Sequence, residues 1–177
     1  MVKLNFKLIK DFFKNTKTTS QEATYNCNYI NDITQKDYIK VVSTQSQKYA
    51  SVGSLNVSFN SQEFKNGTKL QLYNGQIQVV SNNVHHVKVS ATLWIERHGN
   101  SYAWCRLLKN NNIQISYMLA PAVNSGNPWD SITLETIMAV SQNDYIYPQV
   151  YFNEANADNQ VNGGYDHSVS MYVEVID

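Results

Sequence analysis

Histidines, carboxylates and serines do most protein chemistry, and this chain spaces them poorly for it. His85 and His86 are adjacent. On a strand they would point to opposite faces, so they cannot readily share one metal ion. His98 falls in a turn, and His167 opens the last strand on its inward side. Neither His-x-His nor His-Glu-x-x-His occurs. Asp130 with Glu135, or Glu154 with Asp158, are the carboxylates a glycosidase would pair, but linear spacing alone does not pair them. There is no Gly-x-Ser-x-Gly nucleophile elbow and no glycine-rich phosphate loop. Asp158, Gln160, Asn162 and Gly163 imitate part of a calcium loop, but Val169 stands where the closing Glu is required. These patterns predict no catalytic residues, no metal site and no cofactor.

Binding surfaces remain. The chain has 12 Tyr and 3 Trp, and tyrosine suits contact surfaces as well as cores. Trp129, in a proline-containing loop, is the best candidate for stacking on a sugar ring, with Tyr102 as a companion. Trp104 alternates within a strand and is expected in the core. Lys plus Arg equal Asp plus Glu at 14 each, so the surface is neutral and owes its polarity to Asn, Gln, Ser and Thr. That composition excludes counterion-driven nucleic-acid binding and a polybasic membrane patch. Cys27 and Cys105 lie in unlike contexts and read as free thiols.

The elements that must position these residues are strands. From Ser81 to Glu96 the sequence alternates with little interruption: Val87, Val89, Ala91, Leu93 and Ile95 on one side, with His86, Lys88, Ser90, Thr92, Trp94 and Glu96 on the other. Period-two patterning marks a strand with one buried face. Similar runs recur after residue 49, separated by Asn66-Gly67, Asn74-Gly75, Asn110-Asn111-Asn112 and Gln142-Asn143-Asp144 turns. About eight short strands without a helical period predict an all-β antiparallel jelly-roll sandwich over residues 49–177. Pro148 falls inside one run and predicts an edge or a bulge there. Residues 1–48 read differently, as an N-terminal arm and connector, with apolar beads at Leu4, Leu8, Phe12 and Phe13.

From about Leu70 to Ile176 the order of pieces resembles the globular heads of the complement-component and tumour necrosis factor superfamily. NGQIQVVSNNVHHVKVSATLWIE is similar to that family's turn, rising strand and core strand. CRLLKNNNIQI resembles its lysine and Asn-Gly hairpin, SITLETIMAVSQNDYIYPQVYF its strand, Gly-Asp turn and strand, and HSVSMYVEVI its closing strand. Asn143 and Asn111 or Asn112 stand where glycine is usual, and asparagine also tolerates the left-handed conformation. The resemblance implies a jelly roll that assembles as a homotrimer. It also implies that the outward side of the strand carrying Trp94 packs on a neighbouring subunit, with Trp94, Tyr172, Ser170, Thr133 and Ile137 in the contact.

Heads of this architecture occur on bacteriophage fibres and baseplates. An apolar-beaded arm, a polar connector and a terminal head resemble such a virion protein. The expected partners are copies of itself, other virion proteins through the arm, and a host-surface glycan. A bacterial carbohydrate-binding or adhesion module is the alternative.

Overall fold

The computed structural model describes residues 36–98, 101–119, 128–163 and 169–177. The arm residues Leu4, Leu8, Phe12 and Phe13, together with Cys27 and His167, lie outside the described residues. The strands belong to the unit Asp37–Asp177. In chain order they are β1 (Tyr38–Ser43), β2 (Gln47–Lys48), β3 (Gly53–Asn56), β4 (Ser61–Asn66), β5 (Leu70–Tyr73), β6 (Gln76–Val79) and β7 (His86–Glu96). There follow β8 (Ala103–Lys109), β9 (Asn112–Leu119), β10 (Trp129–Ala139), β11 (Tyr145–Phe152), β12 (Gln160–Val161) and β13 (Val169–Val175).

Among the described residues two antiparallel sheets form. In the first, β7 pairs along its whole length with β10. Its other side pairs with β13 over Val87–Thr92 and with β12 at Ile95 and Glu96. β13 pairs with β1, and β1 with β4. The second sheet runs β5-β6-β11-β8-β9, with β3 also on β11. This is the antiparallel jelly-roll sandwich that the turn spacing predicts.

The core lies where alternation places it. Val87, Val89, Ala91, Leu93 and Ile95 are fully buried and face Ala103, Cys105, Leu107, Val150 and Phe152 of the other sheet. Asn74-Gly75 turns with φ of 49° and 77°, and Asn110, Asn111 and Asn143 are all left-handed. Asparagine thus fills the positive-φ turn positions, as the local physics allows.

Two expectations need correction. Residues 38–48, read as connector, supply β1 and β2, and Ile39 and Val41 are fully buried in the sheet. The alternation of YIKVVS was masked by its polar surroundings. Pro148 is at neither an edge nor a bulge, for it sits in β11 opposite Leu107 in unbroken register. Its carbonyl accepts from Val57 N–H on the other side, at 2.9 Å. There β6 has ended and β3 has not begun, so no ladder bond needs the missing N–H. On β9, the margin of its sheet, Ile113 and Tyr117 are about half exposed.

Candidate functional site

The outward face of the first sheet gathers side chains from five strands. Register fixes which ones. Tyr172 lies opposite Ser90 and Lys40, and Ser170 opposite Thr92. Across β7, Thr92 faces Thr133, Ser90 faces Glu135, Lys88 faces Ile137 and Trp94 faces Ser131. The five residues expected at a contact (Trp94, Tyr172, Ser170, Thr133 and Ile137) therefore share one face.

One margin of that face is aromatic. The Tyr38 ring meets Phe64 edge-on at 5.8 Å and Tyr172 at 5.9 Å, and Phe64 lies 6.4 Å from Tyr172. The Lys40 ammonium sits 5.5 Å over the Phe64 ring and pairs with Glu63 at 2.6 Å. Burial, with Glu174 and Tyr38 beside it, pushes the Tyr172 hydroxyl above its ordinary value. Phe64 is still 43% exposed. The centre is flatter and lined by hydroxyls, with Thr92 and Thr133 hydrogen-bonded at 3.1 Å. Trp94 is half-buried there, packed partly against the core, and its carbonyl accepts from Asn162 N–H. At the opposite margin, on β10, Ile137 is 62% exposed. β9, the margin of the second sheet, neighbours β10 there, and its Tyr117 is about half exposed. From β4 to β10 is four strand spacings, about 19 Å. One face thus carries two separate apolar margins.

The candidates for chemistry do not converge. Asp130 shares the inward side of β10 with Ile95, while Glu135 points outward, so they do not pair. Asp130 is instead held by the buried Arg97 guanidinium, which also donates to the Leu119 carbonyl at 3.2 Å. Burial lowers the Arg97 pKa. His98 bonds Glu96 at 2.8 Å, and His86 lies 3.5 Å from Asp177. In the stretch resembling a calcium loop, Gln160 donates to Glu96, and Asn162 accepts from Ser46 at 2.8 Å. Gly163 approaches the Ser43 and Gln45 carbonyls so closely that a Cβ would lie 2.5 Å from each. That stretch ties β12 to the segment around β2. Among the described residues no cluster of three His, Cys, Asp or Glu can hold a metal. Cys105 is buried and free of any disulfide, and burial pushes its thiol up to about 12, against a weaker downward pull from Arg97.

The sugar-stacking candidates separate. Trp129 lies on the outward side of β10 opposite Glu96. Tyr102 precedes β8 in the other sheet, its N–H donating to Asn153 at 2.6 Å. Trp104 is not a core residue: it stands half-buried on the outward face of the second sheet, opposite Tyr151 and Met118.

No protein-family model and no curated protein matches the sequence. Solved structures do match by shape. The crystal structure of murine APRIL at pH 5.0 superposes with a TM-score of 0.60 at 7% identity, over 80% of this chain and 99% of that one. Murine APRIL at pH 8.5 gives 0.59 at 7%, and at pH 8.0 gives 0.59 at 8%, with the same coverage. The fold is a tumour necrosis factor-like jelly roll. At such identity the likeness is one of fold.

Within this jelly roll, sequence reasoning missed Tyr38 and Phe64. Tyr38 fell in the presumed connector. Phe64 is the lone large apolar residue of SQEFKN, an edge strand with no alternation to reveal it. Tyr38, Phe64 and Tyr172 come from three strands, and only the fold unites them.

Proposed function

We propose that this chain works as a homotrimer, the head of a bacteriophage virion structural protein, and is not an enzyme. The single observation that carries the assembly is the pair of apolar margins on one sheet face. A twofold dimer joins like to like and leaves one such margin wet, or forces both into a single self-complementary patch. A head-to-tail contact lays the Ile137 margin of one copy on the Tyr38–Phe64–Tyr172 margin of the next. Such contacts form a ring when the rotation closes. The tumour necrosis factor-like fold supports a ring of three. Trp94, Ser170 and Thr133 then lie between the margins, inside the contact.

Display on a particle is supported by the apolar beads Leu4, Leu8, Phe12 and Phe13 ahead of a polar connector. The Asn-, Lys-, Tyr- and Ile-rich usage of an AT-rich phage also supports it. The beads would dock the head on the virion. Sedimentation equilibrium of the purified chain tests the assembly: the trimer mass is expected, and a folded monomer at all concentrations rejects it. Gold-labelled antibody on purified particles tests the location, and label confined to bacterial cell surfaces would favour an adhesion module instead.

A further inference from the structure

The second sheet has an outward face of different chemistry. None of its six strands contains an aspartate or glutamate. The first sheet carries Glu63, Glu96, Asp130, Glu135 and Glu174. On the acid-free face, Arg106 of β8 is held from three sides. Its guanidinium carbon lies 5.8 Å from the Trp104 ring and 5.4 Å from the Tyr151 ring. Nη1 donates to Gln149 Oε1 at 3.3 Å, and Gln149 in turn donates to Asn56 Oδ1 at 2.7 Å. Nε is buried without a partner, the consequence of laying the guanidinium against two rings. Nη2 has no hydrogen-bond partner among the described residues. The acids closest in sequence to β11 stand beyond its two ends, Asp144 already bonded to Asn110 and Ser141, and Glu154 in the following turn.

An arginine normally fixed this firmly has a carboxylate to satisfy it, because an ammonium or guanidinium prefers a charged acceptor. Here the fixing is done by rings and an amide, so the charge is positioned with no carboxylate among the described residues paired to it. Around it register places Ser54, Tyr151, Trp104 and Met118 in one row and Asn56, Gln149, Arg106 and Ser116 in the next. Ring and thioether surface suits the C–H side of a sugar. Amides and hydroxyls suit its hydroxyl groups. A planar fork suits a carboxylate or phosphate.

We propose that this face binds an acidic saccharide, a sugar bearing a carboxylate or a phosphate, with its anion on Arg106 and its ring against Trp104 or Met118. Charge complementarity selects the anion, and the flat row of rings, amides and hydroxyls selects a saccharide over a peptide. The site lies on the sheet opposite the proposed assembly face, so its failure leaves that reading untouched.

The test is calorimetric titration of the full chain with oligogalacturonate, its methyl ester, a poly(glycerol phosphate) bearing glucose, and an acidic peptide. Sedimentation in the same buffer reports assembly. Binding of at least one acidic saccharide is expected, at least about tenfold tighter than the ester and weakened by salt. Which one binds separates carboxylate from phosphate. Arg106→Gln should lose at least about tenfold, and Arg106→Lys, keeping charge but not the fork, most of that. Trp104→Ala should weaken the saccharides and leave melting little changed. A methyl ester that binds as tightly as the acid, no loss in Arg106→Gln with its fold intact, or no heat from any acidic saccharide would overturn the proposal. Tighter binding of the acidic peptide would overturn it in favour of a protein ligand.

Discussion

Replacing Ile137 by glutamate should dissociate the assembly and leave each copy folded. Ile137 is 62% exposed in a single copy, so the fold makes little use of it. Its cross-strand neighbour is Lys88. A glutamate opposite that lysine is a favourable pair of roughly 0.2–1 kcal/mol, so the lone chain should be as stable as before or slightly more. At a contact the sign reverses. Fully burying an isoleucine side chain contributes about 1.5–3 kcal/mol, and the 62% left to bury is then about 1–2 kcal/mol per copy. Three contacts close a ring, so about 3–6 kcal/mol is lost before any charge is desolvated. That is two to four decades in the association constant. An unpaired carboxylate in the contact adds to the loss. Sedimentation equilibrium and thermal melting on the same samples separate the two effects. Phe64→Glu, at the other margin, should dissociate likewise. Mixing the two variants then asks about geometry: each retains one intact margin, so a head-to-tail contact gives a one-to-one heterodimer that cannot close. An Ile137→Glu protein that sediments like the wild type refutes the contact. Two dissociated variants that ignore each other refute the head-to-tail arrangement.

Two predictions concern the single chain. Cys105 has its thiol raised from 9.0 to about 12 by burial. The folded chain therefore holds a proton that the unfolded chain releases in this window. Stability should be flat in this respect below about pH 9 and fall by up to about 1.4 kcal/mol per pH unit as pH rises towards 12. Urea titrations of wild type and Cys105→Ala across that range check it; parallel pH profiles for the two proteins would contradict it. Gly163 lies against the Ser43 and Gln45 carbonyls, with a Cβ 2.5 Å from each. Gly163→Ala should push β12 from its neighbour and cost about 1–3 kcal/mol, read as a lower urea midpoint at unchanged slope.

The parts legible in the sequence were those where one periodicity acts alone. β7 alternates over its full length, its inward residues are fully buried, and its outward residues fall in register with Tyr172, Ser170, Thr133 and Ile137. The asparagine turns were legible because left-handed φ has few tenants. β4 was not, because an edge strand exposed on most positions has no alternation to show. Pro148 misled because its side of the ladder changes partners at that residue, and a sequence does not say where a neighbour ends. Trp104 misled in the opposite way, since alternation sorts a strand into two sides and does not say which of them is covered.

The two outward faces differ in a way that the assembly would exploit. A ring closed through the first sheet hides its apolar margins and turns the acid-free sheet of each copy outward. Three Arg106 sites would then face away from the axis on one rigid body. A single shallow site on a strand face is a weak binder, since little of a sugar is enclosed and the side chains around it keep their solvent. Three of them meeting a repetitive acidic polymer convert later contacts into intramolecular ones, and avidity can exceed single-site affinity by about 10²–10⁴. Saccharide binding to an immobilised polymer should therefore collapse in Ile137→Glu even though its second sheet is unchanged, while binding to a single short oligomer should survive. Loss of both would mean that the dissociated copies do not keep the site. Retention of both would mean that trivalency contributes nothing to capture.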